Sequence, residues 1–192
     1  NFVDPRKKGG VLSRIGTLRK QLVRELGIIV PPIRLRDNLQ LNPNEYHIKI
    51  KGQTVAKGEL MNDSLLALGG DGQKPIEGVI TTDPAYGLPS VWVSESKKED
   101  AISLGYTVID PISVLMTHLT EIIKSHSHEI VTREDVQKLI DNLKKISPTL
   151  VSELTPNVLA MSVVNEVVRN LLRERTPIRD FSTILDTLLD YA

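Results

Sequence analysis

Between Thr81 and Pro111 the chain is cut by turn-forming residues too closely spaced for any long element: Asp83-Pro84, Gly87-Leu88-Pro89, Gly105 and Asp110-Pro111. Each proline fixes its own φ and removes a backbone donor, and each glycine opens conformations closed to other residues. Only short pieces fit between them. Ile76–Thr82 and Ser90–Val93 read as strands, and Ser94-Glu95-Ser96 reads as the cap of a helix over Lys97–Leu104 that stops at Gly105. Tyr106–Ile109 follows as another strand. The single Trp, Trp92, and two of the four Tyr lie in this stretch, so aromatic surface sits on locally fixed backbone. Such a stretch is either a packed loop over a core or an apolar recognition site with one or two placed polar groups. Residue types alone leave both open.

Upstream, Val11, Ile15, Leu18, Leu22 and Leu26 recur at helical spacing and Gly27 stops the pattern. Pro31-Pro32 forbids helix, and the alternation at Ile33 and Leu35 predicts a strand beyond it. A hairpin is expected from Tyr46–Lys51 and Thr54–Leu60 around a turn at Gly52-Gln53. Tyr46, Ile48 and Ile50 share its buried face, and His47, Lys49 and Lys51 its wet one. Leu65–Leu68 is a short apolar run ended by Gly69-Gly70-Asp71-Gly72. With no Lys-Ser/Thr and no helix after it, that glycine cluster is a flexible turn rather than a phosphate loop.

Downstream, Asp110 and Pro111 cap and open a helix through Val114, Leu115, Leu119, Ile122 and Ile123. Thr132 with Asp135 forms a capping-box variant ahead of Val136, Leu139, Ile140 and Leu143. Ser147-Pro148 opens a short helix. Thr155-Pro156 opens one through Leu159, Val163, Val167 and Leu171, and Thr176-Pro177 opens the last through Ile178, Phe181, Ile184, Leu185, Leu188 and Leu189. Three such starts in close succession predict a compact helical bundle.

Composition narrows the function. The chain has no Cys, so thiolate chemistry and disulfides are excluded and a reducing compartment is expected. No apolar run approaches the ~18–20 residues needed to cross a bilayer, and the start at Asn1 without Met suggests a piece of something longer. Formal charge is zero but uneven: Arg6, Lys7, Lys8, Arg14, Arg19, Lys20 and Arg24 form a basic segment with no acid among them. That segment is either a solvated helix face or an attractor for an anionic membrane or acidic partner. Of the four His, His126 and His128 lie roughly 200° apart around an α-helix and cannot join His118 on one metal ion. No hydrolase signature is present, so neither a catalytic site nor a metal or cofactor is expected. A winged-helix-like nucleic-acid binder is the rival reading for residues 132–192. The near balance of acids and bases there argues against a basic DNA-binding face.

A run of ordered motifs adds to this reading. Arg36-Asp37-Asn38-Leu39-Gln40-Leu41, Asn44-Glu45-Tyr46, Ile48-Lys49-Ile50-Lys51-Gly52, Asp83-Pro84-Ala85-Tyr86-Gly87-Leu88, Val108-Ile109-Asp110-Pro111, Thr117-His118-Leu119, Leu171-Leu172-Arg173-Glu174 and Pro177-Ile178-Arg179-Asp180 follow one another. So ordered, the whole chain resembles the cytoplasmic domain of the FlhA family, the flagellar export-gate proteins to which virulence type III secretion gates are related. The resemblance implies an α+β, multi-subdomain fold. Residues 1–61 and 110–130 would form a mixed α/β subdomain, and 62–109 an inserted ferredoxin-like subdomain. Residues 131–192 would form a helical one, with a fourth subdomain and a membrane part absent from this sequence.

The resemblance also implies a non-enzymatic docking platform at the cytoplasmic face of the bacterial inner membrane. Its partners would be flagellar export chaperones carrying late substrates, components of the ATPase complex, and further copies of itself in a ring, with no nucleic acid. The family's chaperone site lies in a dimple between the first two subdomains, and its motif positions fall on Asp83, Tyr86 and Thr117. Relatives often carry Phe where this chain has Tyr86. Pro84 and Leu88 are expected beside them, with Leu88, Pro89 and Trp92 on the same wall, although Trp92 fits structural packing better. The aromatic ring would offer apolar area, and Asp83 and Thr117 would orient hydrogen bonds from the visitor. His118 is expected to pack at the subdomain junction.

Overall fold

A computed structural model describes residues 10–69, 74–154 and 158–192. Arg6, Lys7 and Lys8, the Gly70-Asp71-Gly72 part of the glycine turn, and the helix start at Thr155-Pro156 lie outside the described residues. The chain divides into two compact units: Asn1–Ile15 with Arg34–Ile122, and Gly16–Ile33 with Ile123–Ala192. Two helices, α1 (Val11–Leu26) and α3 (Pro111–Ser125), each contribute to both. The architecture is mixed α/β with two small sheets and a helical remainder.

In the first unit, β1 (Glu45–Ile50) and β2 (Gln53–Glu59) form the expected antiparallel hairpin. Its turn is Lys51-Gly52, one residue earlier than the sequence suggests. Both residues carry positive φ, 50° and 86°, as a two-residue turn matching the strand twist requires. A register shift between Ile48 and Lys49 breaks the strict alternation, and His47 on the supposedly wet face is half-buried. No strand forms at Ile33 and Leu35. The segment from Gly27 to Asn44 has no regular structure, because alternation without a partner edge supplies no ladder for the backbone donors.

The second sheet has strand order β4-β5-β3-β6: β4 (Val79–Thr82), β5 (Pro89–Ser94), β3 (Ser64–Leu68) and β6 (Thr107–Ile109). The apolar run at Leu65–Leu68 is thus a central strand, and it is apolar throughout because both faces are covered. Leu66 packs with Leu60, Trp92 and Val114, with Tyr46 and Leu115 against them. Leu65 and Ala67 pack with Val93 and Ala101 on the other side. Both β5 and β6 run antiparallel to β3, so they are parallel to each other, and α2 (Lys98–Ser103) carries the chain across: a split βαβ unit. β4 starts three residues later than expected, and just ahead of it Gly78 passes so close to the Trp92 carbonyl that a Cβ there would run into it. The capping expected of Ser94-Glu95-Ser96 is absent. Glu95–Lys97 form a 3₁₀ turn with no side-chain cap, and the Ser94 and Ser96 hydroxyls pair with each other at 2.9 Å.

Asp110 caps α3 as expected, its Oδ1 accepting the Ser113 N–H at 3.0 Å. Arg14 of α1 donates to Asp110 at 3.3 Å and to the Ser113 hydroxyl at 2.7 Å. α3 ends at Ser125 and a separate helix, α4 (Ser127–Ile130), follows, so His126 and His128 do not share one helix.

The second unit is helical: the later part of α1, then α4, α5 (Arg133–Ile146), α6 (Pro148–Leu154), α7 (Met161–Arg173) and α8 (Phe181–Asp190). Thr132 and Asp135 form the full reciprocal capping box at the start of α5. α8 starts later than Thr176-Pro177 predicts. Asp180 is its cap, accepting the Thr183 N–H at 3.2 Å, and the Ile178 N–H ahead of it donates to the Leu26 carbonyl at 2.8 Å. α7 begins at Met161, and Leu159 lies ahead of it. Gly27, with φ +78°, ends α1, and a Cβ there would stand 2.5 Å from the Arg179 backbone. Only glycine allows that approach.

Candidate docking site

The β4–β5 connection, Asp83–Leu88, is built around one carboxylate. The Asp83 N–H donates to the Leu88 carbonyl at 2.8 Å and the Gly87 N–H donates to the Asp83 carbonyl at 2.9 Å. Inside this loop Asp83 Oδ2 accepts the Tyr86 N–H at 2.8 Å, the Asx arrangement that Asp supports in turns. Gly87 supplies the left-handed residue, φ +72°, that lets Leu88 return into β5. The loop presents its apolar side chains outward: Tyr86 is 59% exposed and Leu88 46%, whereas Asp83 is 4% exposed. Pro84 is half-buried.

Asp83 therefore does not stand beside Tyr86 as a group for a visitor, as the sequence suggests. Burial and its bond to the Tyr86 N–H make it the latch that holds the ring in place. Thr117, on α3, is half-buried, and its hydroxyl donates to the Ser113 carbonyl at 3.0 Å, leaving its oxygen able to accept. The Tyr86 hydroxyl donates to Glu121 Oε1 at 3.2 Å. Glu121 is one helical turn beyond Thr117, so Tyr86 and Thr117 are tied to one face of α3. Trp92 is 4% exposed in the core cluster, which fits packing.

Beneath the loop lies a second polar group of residues. The Tyr46 hydroxyl and His118 Nδ1 are 2.6 Å apart, their rings meeting edge-on with centroids 5.7 Å apart. Tyr46 faces Gly58 across the hairpin, and its ring occupies the space a Cβ there would need, 2.5 Å from that position. His118 is 3% exposed. Burial pushes the Tyr46 phenol well above its ordinary range, with the Asp83 charge adding to the shift. Burial pushes the His118 imidazole below its ordinary range, with Asp83 opposing. The imidazole is therefore neutral, and its Nδ1 and the phenol hydroxyl share one hydrogen bond whose direction follows the imidazole tautomer. A cavity of about 230 Å³ is lined by Gly58, Glu59, Leu66, Thr81, Asp83, Pro84 and Trp92 among others.

The arrangement offers an exposed ring with one carboxylate at its hydroxyl, on a loop fixed from below. It contains no nucleophile–base pair. Among the described residues no cluster of three metal-ligating side chains occurs, and no helix is long and apolar enough to cross a membrane. Sequence reasoning missed Tyr46 and Glu121. Glu121 lies four residues after Thr117, and that helical spacing was the available signal.

The model of the FHIPEP family matches residues 1–192. The flagellar biosynthesis protein FlhA of Bacillus subtilis is 48% identical over 99% of this chain, which spans 28% of that relative's length. Among solved structures, the Chlamydia pneumoniae CdsV protein superimposes with a TM-score of 0.81 at 26% identity, over 97% of this chain and 60% of that one. A structure described as the complex of CdsV and CdsO from the same organism gives a TM-score of 0.81 at 26% identity, over 96% of this chain and 58% of that one.

Proposed function

The chain belongs to the FHIPEP family, made up of secretion components rather than enzymes, and on that premise we propose that it is a docking platform of a flagellar export gate. In this reading it sits at the cytoplasmic face of the bacterial inner membrane. It takes export chaperones loaded with late substrates, meets components of the ATPase complex and assembles with copies of itself. The likeness to CdsV, whose complex with CdsO has been solved, supports a protein partner on a fold of this kind. Residues 1–61 with 110–130, 62–109 and 131–192 are its three subdomains. The split βαβ sheet supports a ferredoxin-like character for the second.

Pro84, Tyr86, Leu88 and Thr117 form the chaperone seat, with Asp83 fixing the loop from within. The observation that carries this is the 59% exposed Tyr86 ring held by a buried carboxylate. A large apolar side chain kept in water by a purpose-built turn costs less to cover than a mobile one, since its ordering is complete before binding. Titration calorimetry with a flagellar chaperone–substrate complex tests it. Tyr86→Ala is expected to weaken binding by about tenfold or more, with circular dichroism unchanged. Asp83→Ala weakens it by releasing the loop. Binding unaffected by Tyr86→Ala in a folded protein removes the proposal.

A further inference from the structure

We propose that the open edge of β4 is a second contact of the platform, which takes an extended segment of the visiting chaperone–substrate complex as an added strand. This deepens the docking reading above and rests on it for the identity of the visitor.

β4 is the terminal strand of its sheet, and its register with β5 fixes which backbone groups are left over. The Asp83 N–H donates to the Leu88 carbonyl at 2.8 Å, and from that pair onward opposed residues alternate between bonded and non-bonded. Thr81 and Val79, opposite Ser90 and Trp92, therefore bond to β5, whereas Thr82 and Ile80, opposite Pro89 and Val91, do not. Pro89 agrees with this phase: it has no N–H, and its carbonyl accepts the Gly69 N–H at 3.4 Å, on the β3 side. The N–H and C=O groups of Ile80 and Thr82 thus point away from the sheet, and among the described residues no strand pairs with them. Val79-Ile80-Thr81-Thr82 carries no charge, proline or bulge to blunt such an edge. Instead Ile80 is 87% exposed and Val79 52%. A row of free backbone groups selects an extended segment, because only a strand matches its spacing. The visitor's residue facing Ile80 would cover that side chain. Its residue facing Thr81 would turn to the opposite face, where Thr81, Leu66 and Trp92 line the cavity of about 230 Å³. The expected occupant is an uncharged run of aliphatic or β-branched residues without proline, matching the four residues of β4. Because β4 leads directly into the Asp83–Leu88 loop, a visitor seated on Tyr86 lies beside this edge, which favours it over a second copy of the chain.

The test uses the whole 192-residue chain and a flagellar export chaperone bound to its late substrate. Ile80→Pro removes an outward donor that β5 does not use, a place where an edge strand tolerates proline. It is expected to weaken binding about tenfold or more, and Ile80→Ala, which keeps the donor, is expected to weaken it less. Amide hydrogen exchange read by NMR gives a second measure on the parent chain. The Ile80 and Thr82 amides should exchange fast alone and slowly in the complex, whereas Val79 and Thr81 are protected in both. Unchanged exchange at Ile80 and Thr82, or Ile80→Pro binding like the parent while Tyr86→Ala abolishes binding, overturns the proposal and leaves the docking reading standing. Loss with Ile80→Pro but not with Tyr86→Ala keeps the edge contact and removes the Tyr86 seat. Sedimentation showing self-association that Ile80→Pro abolishes makes a second copy the occupant and also overturns the proposal.

Discussion

Replacing Tyr46 by Phe isolates the bond beneath the docking loop. The ring stays, along with its packing over Gly58 and against the Leu60, Leu66, Trp92 and Val114 cluster. What goes is the hydroxyl partner of His118 Nδ1 at 2.6 Å. A neutral hydrogen bond contributes a net ~0.5–1.5 kcal/mol, but a buried donor or acceptor left unpaired costs about 1–3 kcal/mol. His118 is 3% exposed, which makes the second figure the relevant one. Tyr46→Phe is therefore expected to lose about 1–3 kcal/mol. In a His118→Leu background the same substitution leaves nothing unpaired and is expected to cost less than about 0.5 kcal/mol, so the cycle gives a clear coupling. Urea unfolding followed by Trp fluorescence reads it well, since Trp92 is the only Trp and packs in the same cluster. Equal losses in both backgrounds would refute the account, as would a Tyr46→Phe protein as stable as the parent.

Two glycines offer a matched comparison. Gly27→Ala combines φ +78° with a Cβ 2.5 Å from the Arg179 backbone, whereas Gly87→Ala has φ +72° and open space. In thermal melts Gly87→Ala should cost about 1–2 kcal/mol, the left-handed penalty, and Gly27→Ala clearly more. Because burial lowers the His118 pKa, the unfolded chain binds that proton more readily than the folded one. Stability from this group is full above the ordinary value of about 6.5 and declines as pH falls below it. Melts at pH 7.5 and 5.5 should show a loss that is smaller in His118→Leu. The carboxyls held low by hydrogen bonds and nearby positive charge, Glu25, Glu45 and Glu77 among them, act only at lower pH. Thr132→Ala removes the capping box of α5 and should cost about 1 kcal/mol by chemical denaturation.

The legible parts of the fold were those where one local rule decides. The α1 stripe, the hairpin, the Asp110-Pro111 start and the Thr132–Asp135 box each follow from spacing or capping within a few residues. Tertiary competition decided the rest. Leu65–Leu68 reads as an undefined apolar run because a strand covered on both faces loses the alternation that would mark it. Thr176-Pro177 carries a good helix start, yet the backbone at Ile178 is held against the end of α1 through Leu26, a contact roughly 150 residues away that no local pattern encodes, and the helix starts at Phe181. The turn at Lys51-Gly52 shifted by a single residue because two left-handed positions were needed where one glycine was available.

The docking loop shows the same division at the scale of a site. Its residues were legible as a group, because Asp-Pro, Gly and Pro mark a turn and Tyr marks apolar surface. Their roles were not, because a carboxylate in a turn can face outward to a ligand or inward to the backbone, and the residue types are identical in both cases. The structure settles Asp83 inward: its oxygen holds the Tyr86 N–H, and its charge reaches both Tyr46 and His118. Loop and buried pair are thus coupled through one buried group. Substituting Asp83 therefore changes two things together: the position of the exposed ring and the field at the buried Tyr46–His118 pair. A loss of binding in Asp83→Ala alone cannot be assigned to direct contact. Tyr86→Ala removes the ring while leaving Asp83 in place, and Tyr46→Phe removes the buried bond while leaving the loop, so the two apportion the effect.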